Sequence, residues 1–215
     1  MMLTPIPAER LPEALEQFRS GLAEGFARRV LDAITATSSD RAAGDAAERH
    51  RQEALALART VGMGIAEAAS SRLSWDGERL NPDTEAYVLT HEVAHFQLAS
   101  PARRHAIDFG LGAGPDTVDH AAAERAAVLT PLAGDREEAM VSLLGILWEV
   151  ALGQPALASF LDQNWLEGSG TVRAAAHFTA VLDRLRGGGF VTNAGEPTRR
   201  LREDPDAQHE LRNVA

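Results

Sequence analysis

The sequence contains no cysteine. It also contains no lysine, because all 21 of its basic residues are arginines. Without cysteine there can be no disulfide, thiolate nucleophile, iron–sulfur cluster or cysteine-type zinc site. Without lysine there can be no Schiff base, P-loop lysine or lysine general base. Any metal ion must therefore be bound by histidine nitrogen and carboxylate oxygen.

Basic charge and long apolar runs are also scarce. The 215 residues include 31 acidic and 21 basic side chains, for a net charge of -10. This balance argues against a nucleic-acid partner, because the phosphate backbone is bound by clustered basic charge. The longest apolar stretch, near residues 141–152, is too short and interrupted to span a membrane. The N-terminus lacks the basic region and continuous apolar core of a signal peptide. We expect a cytoplasmic protein that binds neither nucleic acid nor a membrane.

Apolar residues recur every three to four positions along most of the chain, which is typical of amphipathic helices. Asn81 or Asp83 can cap a helix that ends near Ala99. We predict a mainly α fold, or α+β with a few short strands at most, as a single helical domain over 1–195 with a polar, flexible tail over 196–215. We also predict helices at 11–34, 46–69, 121–129, 136–152, from there to 161, and 171–185. Residues 131–135 are predicted to interrupt the helical structure.

One motif carries chemistry: His91-Glu92-Val93-Ala94-His95 is an HExxH sequence. Residues four apart lie on the same face of a helix, so both imidazoles can bind one metal ion. Glu92 is placed to act as the catalytic acid or base on a water or substrate at that ion. The alternative is a buried histidine pair satisfied by hydrogen bonds.

A third ligand must come from elsewhere in the chain. The zincin class with a third histidine ten residues after the first is excluded, because Pro101 stands at that position. Carboxylate candidates are Glu124, Glu137, Glu138 and Glu149, of which the adjacent pair opens an apolar helix and is favoured. Two histidines and one carboxylate bind Fe(II) in oxygenases and Zn(II) in thermolysin-type hydrolases, so both metals remain open.

Four short segments around the motif occur in a recognisable order: His91–Phe96 (HEVAHF), Ala99–Arg104 (ASPARR), Ile107–Gly110 (IDFG) and Gly114–Asp116 (GPD). They resemble the elongation factor P hydroxylase family, with weaker likeness between about residues 13 and 168. The resemblance implies a non-haem Fe(II) hydroxylase that uses O2 as co-substrate. It implies His91, His95 and Glu138 as metal ligands, and family members act on a modified lysine of elongation factor P.

The chain also departs from that family. It has an extra segment at about 36–80 and extra residues between Asp116 and Glu138. Leu111, Gly112 and Ala113 stand where the family has aromatic residues. We therefore expect another substrate: a protein side chain, a peptide or an amino-acid-like small molecule. The alternative function is a zinc metallopeptidase, in which Glu92 is the general base that activates water.

Three further residues are candidates for substrate binding or for orienting a ligand. Asp108 could accept the free N–H of a ligating histidine, or cap the turn before Gly110. Arg104 could bind a substrate carboxylate, or, like Arg103, complement the helix dipole. Tyr87 lies one turn before His91 and suits either a pocket or the core.

A second metal site and two core residues complete the predictions. His105 and His120 could bind a metal with Glu124 or Asp119, although a solvated surface is favoured. Trp148 and Trp165 are predicted to lie in the core.

Overall fold

The computed structural model describes residues 6–68, 74–113, 117, 119–167 and 169–212. The fold is mainly helical, as predicted. Its α-helices are α1 (Leu11–Ser20), α2 (Phe26–Thr35), α3 (Gly44–Thr60), α4 (Ala86–Leu98), α5 (His120–Ala126), α6 (Pro131–Ala151), α7 (Ala156–Asp162) and α8 (Val172–Gly187). Short 3-10 helices lie at Ala8–Arg10, Arg103–His105, Ile107–Gly110 and Gln208–Glu210.

The described residues contain only two short β-strands. β1 (Gly64–Ile65) and β2 (Arg79–Leu80) pair in parallel, with Gly64 opposite Arg79. None of the helices in the described ranges combines the length and apolar character that crossing a bilayer requires.

The first predicted helix, 11–34, is wrong in its continuity, because the chain forms two helices there. α1 ends at Ser20, and α2 begins after Gly25, whose φ of 103° lies outside the helical region. A glycine adopts this backbone conformation without the steric cost that a Cβ imposes. The next predicted helix, 46–69, also ends early, at Thr60, and Gly62 follows with a φ of 92°.

The predicted break at 131–135 is wrong as well. Pro131 is the first residue of α6, a position where its missing N–H leaves no helical hydrogen bond unmade. The Thr130 hydroxyl accepts a hydrogen bond from the Ala133 amide at 3.3 Å and so caps this end. α6 therefore begins five residues earlier than 136, and Glu137 and Glu138 lie inside it rather than at its start.

The chain divides into two compact units. Unit 1 comprises residues 1–46 and 142–198. Its core contains Phe18, Phe160 and Phe178, whose ring centroids lie 5.6–6.0 Å apart in edge-on geometry. Trp165 stacks on Phe160 at 6.1 Å, and both Trp165 and Trp148 are buried, as predicted.

Unit 2 comprises residues 47–141 and 199–215 and contains the HExxH motif on α4. Its core includes an aromatic group in which Trp75 stacks on Phe109 at 5.4 Å and meets Phe96 edge-on. On α4, Leu89 and Val93 are fully buried as well.

Residues 199–212, which belong to unit 2, are hydrogen-bonded to the rest of that unit. The Gln97 side chain donates to the Arg200 carbonyl oxygen at 2.9 Å, and the Arg202 amide donates to the Gln97 carbonyl oxygen at 2.8 Å. Leu211 forms an antiparallel bridge with Leu129, just before α6. The domain boundary at 195 stays a prediction, but the described residues 199–212 are held by specific hydrogen bonds rather than by chain connectivity alone.

Candidate metal centre

Helix α4 presents both motif histidines on one face, as the four-residue spacing predicts. The His95 side chain is 8% exposed and the His91 side chain 24%. Tyr87, one turn earlier, is half-buried. Of the two motif histidines, His95 is therefore the more deeply buried.

Glu138 of α6 completes a cluster with the two histidines. The His91 Nε2 and His95 Nε2 atoms are 3.1 Å apart, and they lie 3.2 and 3.3 Å from the two carboxylate oxygens of Glu138. Metal–ligand bonds of about 2.0–2.2 Å at angles of about 90–109° separate neighbouring donor atoms by about 2.8–3.6 Å. The donor atoms thus have the separations that one small divalent cation requires.

The protonation states suit the same role. Burial lowers the pKa of His95 to about 3, so its imidazole is neutral at neutral pH and has a free lone pair. Loss of solvation by itself raises the pKa of Glu138, but the neighbouring His95 and His91 imidazoles outweigh it and hold that pKa below its usual range. An ionised carboxylate and a neutral imidazole are the forms that bind a cation.

Phe109 holds the imidazole of His95. The two rings stack with centroids 5.3 Å apart and planes 17° from parallel. His95 Nδ1 is buried and has no hydrogen-bond partner among the residues that the structure describes. Asp108 and Phe109 have φ values of 44° and 53°, a left-handed turn that non-glycine residues seldom adopt. A ligating histidine is usually oriented by a hydrogen bond at its second nitrogen, whereas the contact that the structure shows for the His95 ring is stacking on Phe109.

The four carboxylate candidates separate clearly. Glu137, next to Glu138, binds the Arg103 guanidinium with both oxygens, one of them at 2.8 Å from Nη1. Glu124 is exposed and lies 3.8 Å from Arg212. Glu149 belongs to unit 1, where it lies 3.5 Å from Arg41. Of the four, Glu138 alone joins the two histidines within the described residues.

Glu92 lies beside His91 on α4 and is half-buried. It is not among the three donor groups of the cluster formed by the described residues. This placement agrees with a role beside a bound ion rather than as its ligand, which is how the motif uses its glutamate.

The structure gives the contacts of two further candidate residues, Asp108 and Arg104. The Asp108 carboxylate accepts a hydrogen bond from Thr117 at 2.9 Å and does not serve His95 Nδ1. Burial raises the pKa of Asp108, and the Thr117 hydrogen bond opposes that rise. The Arg104 guanidinium donates to the carbonyl oxygens of Phe96, at 3.0 Å, and Arg202, and so ties backbone segments together.

The second metal site gains no support. His105 and His120 are exposed, and Asp119 caps α5 by accepting the Ala122 amide. One group of metal-ligating side chains is found in the described ranges, that of His91, His95 and Glu138. Gly114–Asp116, part of the family resemblance, lie outside the described residues.

Three residues near the site had no predicted role: Phe109, Glu137 as a partner of Arg103, and Asp206 in the supposed tail. The sequence does carry a signal for Phe109, which stands in a Gly-flanked segment of the resemblance. Asp206 has one neighbour in sequence among its partners, Arg202, but the partners that bring it to the site, Ser100 and Arg103, are about a hundred residues earlier in the chain. No family model, no curated protein and no solved structure matches this chain.

Proposed function

We propose that this protein is a non-haem Fe(II), O2-dependent hydroxylase whose metal ligands are His91, His95 and Glu138. The observation that carries the proposal is the convergence of three donor groups from two helices, whose nearest nitrogen and oxygen atoms lie 3.1–3.3 Å apart. Two imidazoles and one carboxylate are the facial ligand set of Fe(II) oxygenases. The absence of cysteine removes the thiolate ligands that favour zinc or iron–sulfur clusters.

The chain's own groups divide the work around this centre. His95 is held on the buried side by Phe109, whereas the Glu138 side chain is 52% exposed, so the site opens on the Glu138 side. Bound Fe(II) would supply O2 activation next to a substrate C–H bond; one oxygen atom would enter that bond, and a two-electron reductant from outside the chain would reduce the other to water. Glu92 would hold or donate a proton at its carboxyl oxygen, and the substrate would enter from the exposed side. The substrate class is a protein side chain, a peptide or an amino-acid-like small molecule.

A zinc metallopeptidase is the second candidate, favoured by the position of Glu92 directly after His91. In that reaction Glu92 would be the general base for the attacking water, and His91, His95 and Glu138 would hold zinc. Extended peptides are commonly bound by adding a strand to an exposed sheet edge. The only sheet in the described ranges has two residues per strand, which weighs against this candidate.

Metal and oxygen dependence test the proposal. Protein purified without oxygen and reconstituted with Fe(II) is expected to consume O2 when a two-electron reductant is present, and Zn(II) protein under the same conditions is not. Glu138→Ala should lose metal, whereas Glu124→Ala, a change of an exposed acid in the same unit, should retain it. Peptide cleavage with Zn(II) that Glu92→Gln abolishes would overturn the hydroxylase proposal in favour of the peptidase. Metal retained in Glu138→Ala would overturn the ligand assignment.

A further inference from the structure

The buried Arg103 guanidinium contacts two residues next to the candidate metal centre, Phe109 beside His95 and Glu137 beside Glu138. The Arg103 side chain is 3% exposed. Its Nε donates to the Phe109 carbonyl oxygen at 2.8 Å, and its Nη1 and Nη2 donate to the two carboxylate oxygens of Glu137. Phe109 stacks on His95, and Glu137 precedes Glu138. We infer that Arg103 is a positioning residue of the metal centre, which sets Glu138 against His95; this inference rests on the proposed metal site.

Helix geometry explains how a neighbour of the ligand can position it. Successive residues on a helix point about 100° apart, so Glu137 can face Arg103 while Glu138 faces the histidines. A fork of two parallel hydrogen bonds fixes direction as well as distance. Holding the Glu137 carboxylate in this way fixes both the rotation of α6 about its axis and its position along that axis, and thereby the Glu138 carboxylate.

Arg103 contacts Phe109 through the Phe109 backbone carbonyl oxygen. Phe109 sits in the left-handed turn, with φ 53°, and its side chain is 1% exposed. A left-handed conformation at a bulky residue is strained and persists only where its surroundings hold it. The hydrogen bond from Arg103 Nε to the Phe109 carbonyl oxygen is one such restraint, and it keeps the phenyl ring against the His95 imidazole.

The end of the chain completes the network. Asp206, 6% exposed, lies 3.4 Å from Arg103 Nη1 and 3.2 Å from Arg202 Nη1, and it accepts the Ser100 hydroxyl at 2.6 Å. Two guanidinium groups and two carboxylates, of Glu137 and Asp206, therefore balance in charge. Buried charges are tolerated when they are paired, and removing one partner leaves the others uncompensated. The segment 199–212 thus takes part in supporting the metal centre.

Co(II) binding measured on the full-length chain tests the inference. Glu137→Gln keeps the side-chain shape but loses the charge and one of the two acceptor oxygens, and Arg103→Lys keeps the charge but loses the fork. Both variants are expected to bind Co(II) about 10–100-fold more weakly and to shift its visible absorption bands, since supporting residues affect metal affinity on this scale. The matched control Glu124→Gln should stay within about twofold of the wild type.

The outcomes separate this inference from the proposed function. Wild-type protein that binds no Co(II) overturns both. Wild-type binding together with unchanged affinity and absorption in folded Glu137→Gln overturns the positioning role alone. Arg103→Lys with wild-type affinity would show that charge suffices and would also overturn it. Circular dichroism identifies any variant that fails to fold, and Glu137→Gln, the milder change, then decides the question.

Discussion

Glu137 and Glu138 are adjacent on α6, yet their carboxylates bind different groups. Glu137 pairs with the buried Arg103, and Glu138 lies 3.2 and 3.3 Å from the imidazole nitrogens of His91 and His95. Burial raises the pKa of Glu137, opposed by the contact with Arg103, whereas the histidines hold the pKa of Glu138 low. One helix thus supplies both the carboxylate of the candidate metal centre and a carboxylate paired with a buried guanidinium.

Replacing Phe109 tests whether ring stacking orients His95. Phe109→Leu is expected to lower the free energy of unfolding by about 1–2 kcal/mol and to weaken metal binding by about tenfold, because the imidazole loses its stacked partner. Titration with Co(II) measures the affinity. Phe178→Leu, at an equally buried ring in unit 1, is the control for stability alone. Equal affinities in the two variants would show that stacking has no positioning role.

Acid should destabilise the metal-free protein through His95. The pKa of this residue falls from 6.5 to about 3 on folding, because burial disfavours its charged form. Between these two pH values His95 is protonated in the unfolded chain but not in the folded chain. Its contribution to the free energy of unfolding is therefore complete above about pH 6.5 and is lost as pH falls toward 3. Its slope reaches at most about 1.4 kcal/mol per pH unit.

Urea unfolding with a chelator between pH 3.5 and 7 measures this effect. His95→Gln cannot be protonated, so its free energy of unfolding should fall less steeply than that of the wild type over the same range. Parallel pH profiles for the two proteins would contradict the low pKa of His95.

Removal of the Arg104 guanidinium should affect stability rather than substrate binding. Its hydrogen bonds to the Phe96 and Arg202 carbonyl oxygens link α4 to the C-terminal segment. Arg104→Ala is expected to lower the free energy of unfolding by about 1–3 kcal/mol, since two carbonyl groups in part-buried hydrogen bonds lose their donors. Denaturant titration checks this value. Unchanged stability combined with loss of substrate binding would restore the predicted substrate contact.

Two glycines should respond in opposite ways to alanine. Gly25 has a φ of 103°, and a Cβ there meets no atom within 4 Å, so Gly25→Ala should destabilise by about 1–2 kcal/mol through backbone strain alone. Gly134 lies within α6 with equal space around it, and Gly134→Ala should stabilise by about 0.5–1 kcal/mol. Thermal unfolding of both variants measures the difference, and a shift of the same sign in each would contradict the conformational argument.

Local pattern was sufficient for most helices but not for their ends. The apolar periodicity of 11–34 covers two helices. The apolar spacing continues through residues 21–25, but the helical backbone conformation is interrupted there. Pro131 indicated a break, yet proline is equally compatible with the first turn of a helix. A helix boundary is decided by which backbone groups find partners, and those partners are not visible in apolar spacing.

The sequence by itself determined the helical class, the pairing of His91 with His95 and the restriction of any site to imidazole and carboxylate ligands. These follow from composition and from the 3.6-residue period, which act within one helix. Only the tertiary structure showed that Glu138 contacts the two histidines while Glu137 contacts Arg103, and it placed Asp206 beside Arg103. It also placed the partly buried Arg104 guanidinium on the Phe96 and Arg202 carbonyl oxygens. The physical reason is that the rotation of one helix relative to another depends on side chains distant in the chain.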